Sequence, residues 1–118
     1  GSRRVVGGGV VGWGWARKLM SWGAATAARL ALGLTSHDVT AGFRLYSRQA
    51  LTHIPWERTT TDGYAWQEEM LYLVEKTGAK VVEVPVVFID RQVGASKLGW
   101  RDVVEFFVSL VRLRFRAR

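Results

Sequence analysis

The sequence predicts an α/β fold with a small open sheet and flanking helices. Two long segments, near 15–33 and near 100–116, carry apolar residues at helical spacing between charged positions. A third helical pattern lies near 65–77. Two shorter segments, near 41–46 and near 80–89, show the alternation or the apolar run that is typical of strands. We therefore expect three main helices and a sheet of few strands.

Length and composition narrow the class of protein. The 118 residues amount to one domain or part of one, and 17 Lys and Arg against 10 Asp and Glu give a formal charge of +7. Such an excess indicates an anionic partner: phosphate, nucleic acid or a lipid surface. Without cysteine there is no disulfide framework or Cys-based zinc site, and two histidines are too few for a His-built metal centre. The first residues show neither an initiator Met nor the start of an element, so we expect a piece of a longer protein.

The first predicted helix follows a glycine-rich segment. Residues 1–14 contain two glycine clusters, which predict a mobile loop without regular structure. The helix is expected to end at Gly33, a typical C-cap residue. Arg17 and Ser21 are four residues apart and therefore share one helix face. From the residues alone, Arg17 fits an ordinary solvated arginine equally well.

Polar residues dominate the segment between the first two long helices. Asp38 and Thr40 precede the first predicted strand, and both can hydrogen-bond local backbone and fix a turn. Ser47 is expected to cap a short helix that runs to Ile54. Residues 55–61 then form a connector.

Two acids in the helix near 65–77 and a proline in the strand that follows it need an explanation. Glu68 and Glu69 occupy the first turns of the helix, where its dipole favours acids, so their position needs no catalytic explanation. Gly78 is expected to cap this helix. Pro85 removes a hydrogen-bond donor from the strand predicted at 79–89, which indicates an edge position or a bulge.

The segment 88–97 is the most suggestive of chemistry. Arg91 offers a planar fork of donors and Lys97 a mobile point charge, a combination that suits a phosphate. Gly94 can take backbone angles closed to other residues, so the loop can wrap closely around an oxyanion. A solvated basic hairpin loop fits the same residues equally well.

The same segment carries a family resemblance. Its blocks Glu83-Val-Pro85, Phe88-x-Asp90-Arg91 and Gly94-x-Ser96-Lys97-Leu98-Gly99 closely resemble the late motif of dolichol- or polyprenol-phosphate mannose synthases. These are inverting family 2 glycosyltransferases with a GT-A fold. The resemblance covers nearly the whole chain, because four further blocks match, beginning at Gly1, Arg17, Asp38 and Gly63.

The resemblance implies a set of residues that bind the acceptor phosphate. These are Arg3, Arg17, Ser21, Arg91 and Lys97. One departure lies next to the first of them, because the family commonly has an aromatic residue where this chain has Arg4. That difference concerns how the loop around it packs.

The resemblance also implies candidate catalytic residues. Asp38 matches a segment at the floor of the active site, and Gln67 and Glu69 match residues at the sugar and acceptor end. Trp66 replaces the usual Phe in that second block. Arg91 completes the set.

For the complete enzyme, the resemblance implies GDP-mannose as donor and polyprenyl phosphate as acceptor. It further implies a divalent cation, Mg²⁺ or Mn²⁺, held by an Asp-x-Asp motif upstream of this region. No Asp-x-Asp occurs here, so we expect no metal ligand in this chain. We expect a partial GT-A fold whose N-terminal nucleotide-binding half is absent, inactive alone, at the cytoplasmic face of a membrane and without nucleic acid.

Other functions compete with this one. A related polyprenyl-phosphate glucosyltransferase or other hexosyltransferase would share the motifs. A basic, Trp-rich chain can also stack bases and track phosphates, although its arginines are scattered and form no recognised nucleic-acid motif. A non-enzymatic membrane-surface module is the third possibility, because arginines beside the broad apolar face of 100–118 can reach lipid headgroups.

Overall fold

The computed structural model describes residues 1–90 and 99–116. Within this part of the chain lie four helices, two strands and one 3-10 turn, which confirms the α/β class. In chain order they are β1 (Gly9–Val11), α1 (Trp15–Leu32), α2 (Arg48–His53), the 3-10 turn (Trp56–Arg58), α3 (Tyr64–Lys76), β2 (Val87–Ile89) and α4 (Trp100–Arg116). All four predicted helices are confirmed. Of the strand predicted near 80–89, only the last three residues form one.

The helices end and begin at residues whose chemistry explains the boundary. Gly33 adopts a left-handed conformation with φ of 67°, and its N–H donates to the Arg29 carbonyl, which closes α1. At the start of α2, the Ser47 hydroxyl accepts a 3.1 Å hydrogen bond from the Ala50 N–H. Gly78, with φ of 77°, turns the chain away after α3.

β1 and β2 form a parallel two-stranded sheet in which Val10 lies opposite Phe88. The expectation that residues 1–14 lack regular structure is therefore wrong for β1. Gly7 and Gly12 flank the strand, and both have φ of 90°, a value that side chains disfavour. Their turns bring the strand alongside β2, where its backbone groups find partners in the ladder.

The N-terminal segment is also tied to the chain before β2. Ser2 and Pro85 form an isolated parallel bridge, in which the Ser2 N–H donates to the Val84 carbonyl at 2.7 Å. The Ser2 carbonyl accepts from the Val86 N–H at 2.9 Å. This bridge lies at an edge, as predicted for a residue without an N–H. Residues 3–8, called the excursion loop below, are thus held at both ends.

The strand predicted at 41–46 is wrong. The Arg44 guanidinium donates to the carbonyls of Val39, Ala41 and Gln67, and these bonds hold the segment in an irregular bend. No strand lies alongside it among the described residues, so its backbone has no ladder to join. The hydrogen bonds of the Arg44 side chain therefore determine the backbone here, and the alternation of apolar and polar residues does not.

The core lies where α1 and α3 pack against α4. Its buried side chains are Ala28, Leu32, Leu34, Val39, Leu71, Tyr72, Phe106, Leu110 and Leu113. Full burial of one such Leu or Phe side chain contributes about 1.5–3 kcal/mol relative to exposure. The core therefore fixes α1 as a platform for the N-terminal segment.

Candidate functional site

A cleft of about 240 Å³ lies between the excursion loop, β1 and the first turns of α1. Its lining combines three cations and a hydroxyl with two indole rings. These residues are Arg3, Arg4, Trp13, Lys18, Ser21 and Trp22. A cleft lined by both cations and aromatic rings suits an anion attached to an apolar group.

Arg3 lies in the cleft wall and is tied down by Asp38. Its Nε donates to Asp38 Oδ2 and its Nη2 to Asp38 Oδ1, both at 2.8 Å, and its main-chain N–H also donates to Oδ2 at 2.9 Å. The Nη2 group also donates to the Thr40 hydroxyl at 3.0 Å. The sequence predicted a mobile loop around Arg3, whereas the structure gives its guanidinium a bidentate partner that is fully buried.

The carboxylate of Asp38 is maintained in its charged form. Burial alone would raise its pKa, but the hydrogen bonds from Arg3 and the charges of Arg3 and Arg4 outweigh burial and lower the pKa below its ordinary value. Asp38 was expected both to fix a local turn and to lie at the floor of an active site. Its observed partner is instead an arginine 35 residues away in sequence.

A second acid positions Asp38. The Glu83 carboxylate accepts hydrogen bonds from the main-chain N–H groups of His37 and Asp38, at 2.9 and 3.0 Å, and lies 2.8 Å from His37 Nδ1. Burial would raise the Glu83 pKa, but these hydrogen bonds lower it. The motif residue Glu83 thus holds the turn that presents Asp38 to Arg3.

Arg4 is a cleft residue that sequence reasoning treated only as a departure from the family pattern. Its Nη2 donates to the Ser21 hydroxyl at 2.8 Å. Burial lowers the Arg4 pKa, with the charge of Asp38 opposing and that of Arg3 reinforcing this shift. The available signal was the adjacency of two arginines just before a glycine cluster. Ser21 also lines the cleft, and its role as a phosphate ligand stays a prediction.

Trp13 joins the two predicted arginines, and sequence reasoning missed it. The Arg17 guanidinium lies 4.2 Å from the centre of the Trp13 ring, and the Arg3 guanidinium lies 5.5 Å from it. Arg17 also donates to both Asp90 carboxylate oxygens at 3.3 Å. Arg17 therefore lies next to the cleft, bridging Trp13 to the end of β2. Two further predicted ligands, Arg91 and Lys97, lie outside the described residues.

Glu69 and Gln67 do not line the cleft. The buried Glu69 carboxylate accepts from the main-chain N–H groups of Thr60 and Thr61, each at 3.1 Å, and Arg116 Nη1 lies 3.7 Å from it. It thus fastens the connector to the end of α4. Gln67 provides its main-chain carbonyl to Arg44.

Glu68 is a buried acid that no prediction used. Both of its carboxylate oxygens lack a hydrogen-bond partner within the described residues, and the residue is 1% exposed. Burial raises its pKa to about 7, and the charge of Arg44 opposes that shift only in part.

Neither a metal-ligand set nor a membrane-crossing helix is found in the described ranges. No three His, Cys, Asp or Glu side chains within 1–90 and 99–116 are grouped so as to hold a metal ion. The resemblance places the ligands of the divalent cation upstream of this chain, and that expectation stays a prediction. In the same ranges, every helix is too short or too polar to cross a bilayer.

Among the curated proteins that match this chain, two do so along its whole length. It is 38% identical to the undecaprenyl-phosphate mannosyltransferase of Micrococcus luteus and 36% identical to the polyprenol monophosphomannose synthase of Mycolicibacterium smegmatis, over 118 residues in each case. The match covers 49% and 44% of those proteins, so the chain spans about half the length of these relatives. No protein-family model and no solved structure gave a significant match. Over its whole length the chain is thus similar to about half of an undecaprenyl-phosphate mannosyltransferase and of a polyprenol monophosphomannose synthase, in line with the resemblance of its motifs.

Proposed function

We propose that this chain supplies the acceptor-phosphate site of a GT-A mannosyltransferase that moves mannose from GDP-mannose to a polyprenyl phosphate. The observation that carries the proposal is the cleft, where three cations and a hydroxyl lie beside two indole rings. The cations suit the phosphate, and the rings suit the first isoprene units attached to it. The names of both relatives, which concern mannose and a polyprenyl phosphate, support the same reading over a nucleic-acid-binding module.

The proposed reaction does not require a side chain of the protein to act as general base. A phosphate monoester is already anionic at neutral pH, so one of its oxygens can attack the anomeric carbon of mannose without a general base. A bond forms between that oxygen and the anomeric carbon as the bond to the diphosphate oxygen breaks, and GDP leaves with the electron pair. The configuration inverts. The residues are needed to position the acceptor and to offset its repulsion from the donor.

The contacts within the cleft indicate a different role for each of its polar residues. Arg4 and Lys18 provide positive charge, and Ser21 provides a hydroxyl within reach of Arg4. Arg17 links the cleft to Asp90, the residue immediately before the segment that contains Arg91. A divalent cation expected at the leaving diphosphate has no ligand set in the described part of this chain.

Association with the cytoplasmic surface of a membrane is part of the proposal. α1 and α4 pack together, yet both expose large apolar side chains to solvent. They include Trp15, Leu19 and Trp22 on α1 and Trp100, Phe107, Val111 and Phe115 on α4. Because Trp22 also lines the cleft, a prenyl chain held there could leave directly along this apolar surface.

The test is transfer by the complete protein of radiolabelled mannose from GDP-mannose to a polyprenyl phosphate in vesicles. We expect label in the lipid fraction that depends on the acceptor, and less or none when GDP-glucose labelled in its glucose replaces GDP-mannose. Transfer of glucose alone would favour the related hexosyltransferase. Absence of any transfer, together with salt-sensitive binding of an oligonucleotide, would favour the nucleic-acid-binding module.

A further inference from the structure

We infer that Arg4 is the guanidinium that binds the acceptor phosphate, with Lys18 as its partner, and that Arg3 acts as a positioning residue. This inference rests on the proposed function and assigns a binding role at a position where the family resemblance gave none. The two adjacent arginines of the loop thus have different roles: Arg3 fixes the loop, and Arg4 binds the ligand.

The contacts of Arg3 limit what it can offer to a ligand. Its Nε and Nη2 groups are engaged by both carboxylate oxygens of Asp38, and Nη2 is shared with Thr40. The side chain of Asp38 is fully buried, and that of Arg3 is only 14% exposed. Turning the Arg3 fork toward a ligand would leave a buried carboxylate without its partner, which is strongly unfavourable. Arg3 is therefore a fixed part of the wall.

Arg4 has the opposite pattern of contacts. Its Nη2 group donates to a neutral hydroxyl, that of Ser21, and its Nε–H is buried without an acceptor among the described residues. No carboxylate of the described residues forms an ion pair with Arg4 or with Lys18. The neutral Ser21 hydroxyl leaves the Arg4 charge without a counter-ion, so this guanidinium remains available to an anion in the cleft.

The charge of the cleft matches a phosphate monoester. Arg3, Arg4 and Lys18 carry three positive charges and Asp38 carries one negative charge, which leaves two positive charges. A phosphate monoester carries about −1.5 to −2 at pH 7. Since Asp38 neutralises Arg3, the two remaining charges belong to Arg4 and Lys18. The Ser21 hydroxyl accepts a hydrogen bond from Arg4. It can also donate its own proton to a phosphate oxygen that is bound by Arg4.

The test is Arg4→Gln in the complete protein, with separate kinetics for the two substrates. We expect KM for polyprenyl phosphate to rise about 10- to 100-fold, the loss typical of one charge-assisted hydrogen bond. KM for GDP-mannose should not change, which separates the acceptor phosphate from the donor diphosphate. Arg4→Lys should recover part of the acceptor affinity. Calorimetric titration with farnesyl phosphate should show the same order of affinities without turnover.

The matched control is Arg29→Gln. Arg29 is a half-buried arginine of α1 whose Nε also lacks a partner among the described residues, but it does not line the cleft. Its substitution should leave both KM values unchanged. An unchanged acceptor KM in Arg4→Gln, in a wild-type protein that transfers mannose, would overturn the inference but not the proposed function. An equal rise in both KM values would also overturn it. If the wild-type protein neither transfers mannose nor binds farnesyl phosphate, the proposed function itself fails.

Discussion

Arg3 and Asp38 are joined by two parallel hydrogen bonds of 2.8 Å across 35 residues of sequence. A third bond, from the Arg3 main-chain N–H to the same carboxylate, holds the backbone of the excursion loop as well. The pair therefore fixes both the side chain and the main chain at the start of the loop. The neighbouring Arg4 is placed against α1 as a consequence.

Asp38→Asn should destabilise the protein by about 3 kcal/mol at pH 7, because it leaves the largely buried Arg3 charge uncompensated. The folded-state pKa of Asp38 is lowered, so its contribution is present above the ordinary value of about 3.9 and is lost as pH falls through the lowered pKa. Chemical denaturation of both proteins at pH 7 and at pH 3 measures this. The difference should shrink at the lower pH; a constant difference would contradict the prediction. Asp62→Asn, at an exposed position, is the control.

Glu68→Gln should stabilise the protein at pH 8 and have little effect at pH 4. In the folded protein the pKa of Glu68 is about 7, whereas its ordinary value is 4.5. Between these two pH values the folded protein retains a proton on Glu68 that the unfolded chain has lost. Stability therefore falls as pH rises through the window, by up to about 3 kcal/mol. Melting temperatures of the variant and of Glu105→Gln, an exposed control on α4, test this. Equal effects at both pH values would rule out titration of Glu68.

Glu69→Ala should lower the free energy of unfolding by about 2–4 kcal/mol, since the main-chain N–H groups of Thr60 and Thr61 would lose their acceptor. Glu69→Gln keeps one acceptor oxygen and should recover part of the loss. The transfer rate, measured well below the melting temperature of each variant, separates stability from catalysis. A rate loss in stably folded Glu69→Gln would support the catalytic role that the family resemblance implies.

Arg91→Lys should keep the fold and reduce the transfer rate by roughly one to three orders of magnitude, the range typical of losing one preorganised donor. Arg91 lies outside the described residues, so this prediction rests on its motif and on the inability of Lys to form a bidentate contact. Arg58→Lys, an exposed residue of the 3-10 turn, is the control. Equal rates in both variants would reject a catalytic role. A melting temperature that falls in parallel with the rate would make Arg91 structural.

The helices were predictable because their signals are local. Apolar spacing, the Ser47 cap and the glycine stops all act within a few residues, and the structure confirms each of them. The strands depend on partners distant in sequence. β1 exists because residues 85–89 lie beside it, whereas 41–46 lacks such a partner among the described residues and is bent by Arg44.

The candidate site shows the same contrast between features set by local sequence and features set by distant partners. Of the motif residues, Arg3 and Ser21 line one cleft, whereas Arg17 contacts its Trp13 wall and Asp90 rather than lining it, and their role in phosphate binding stays a prediction. Their partners could not be predicted. That Asp38 holds Arg3, that Trp13 lies against two guanidinium groups, and that Glu69 fastens a connector all depend on long-range packing.

The double attachment of the excursion loop has a consequence for how this cleft can vary. The bridge at Ser2 and the ladder at β1 hold the ends of residues 3–8 against one short stretch, residues 85–89. Closing a somewhat longer loop costs little additional entropy, so a change of length between these attachments need not disturb the sheet or the helices. The excursion loop can therefore change in length without displacing α1 or the sheet, and the shape of the cleft can change with it while the core stays the same.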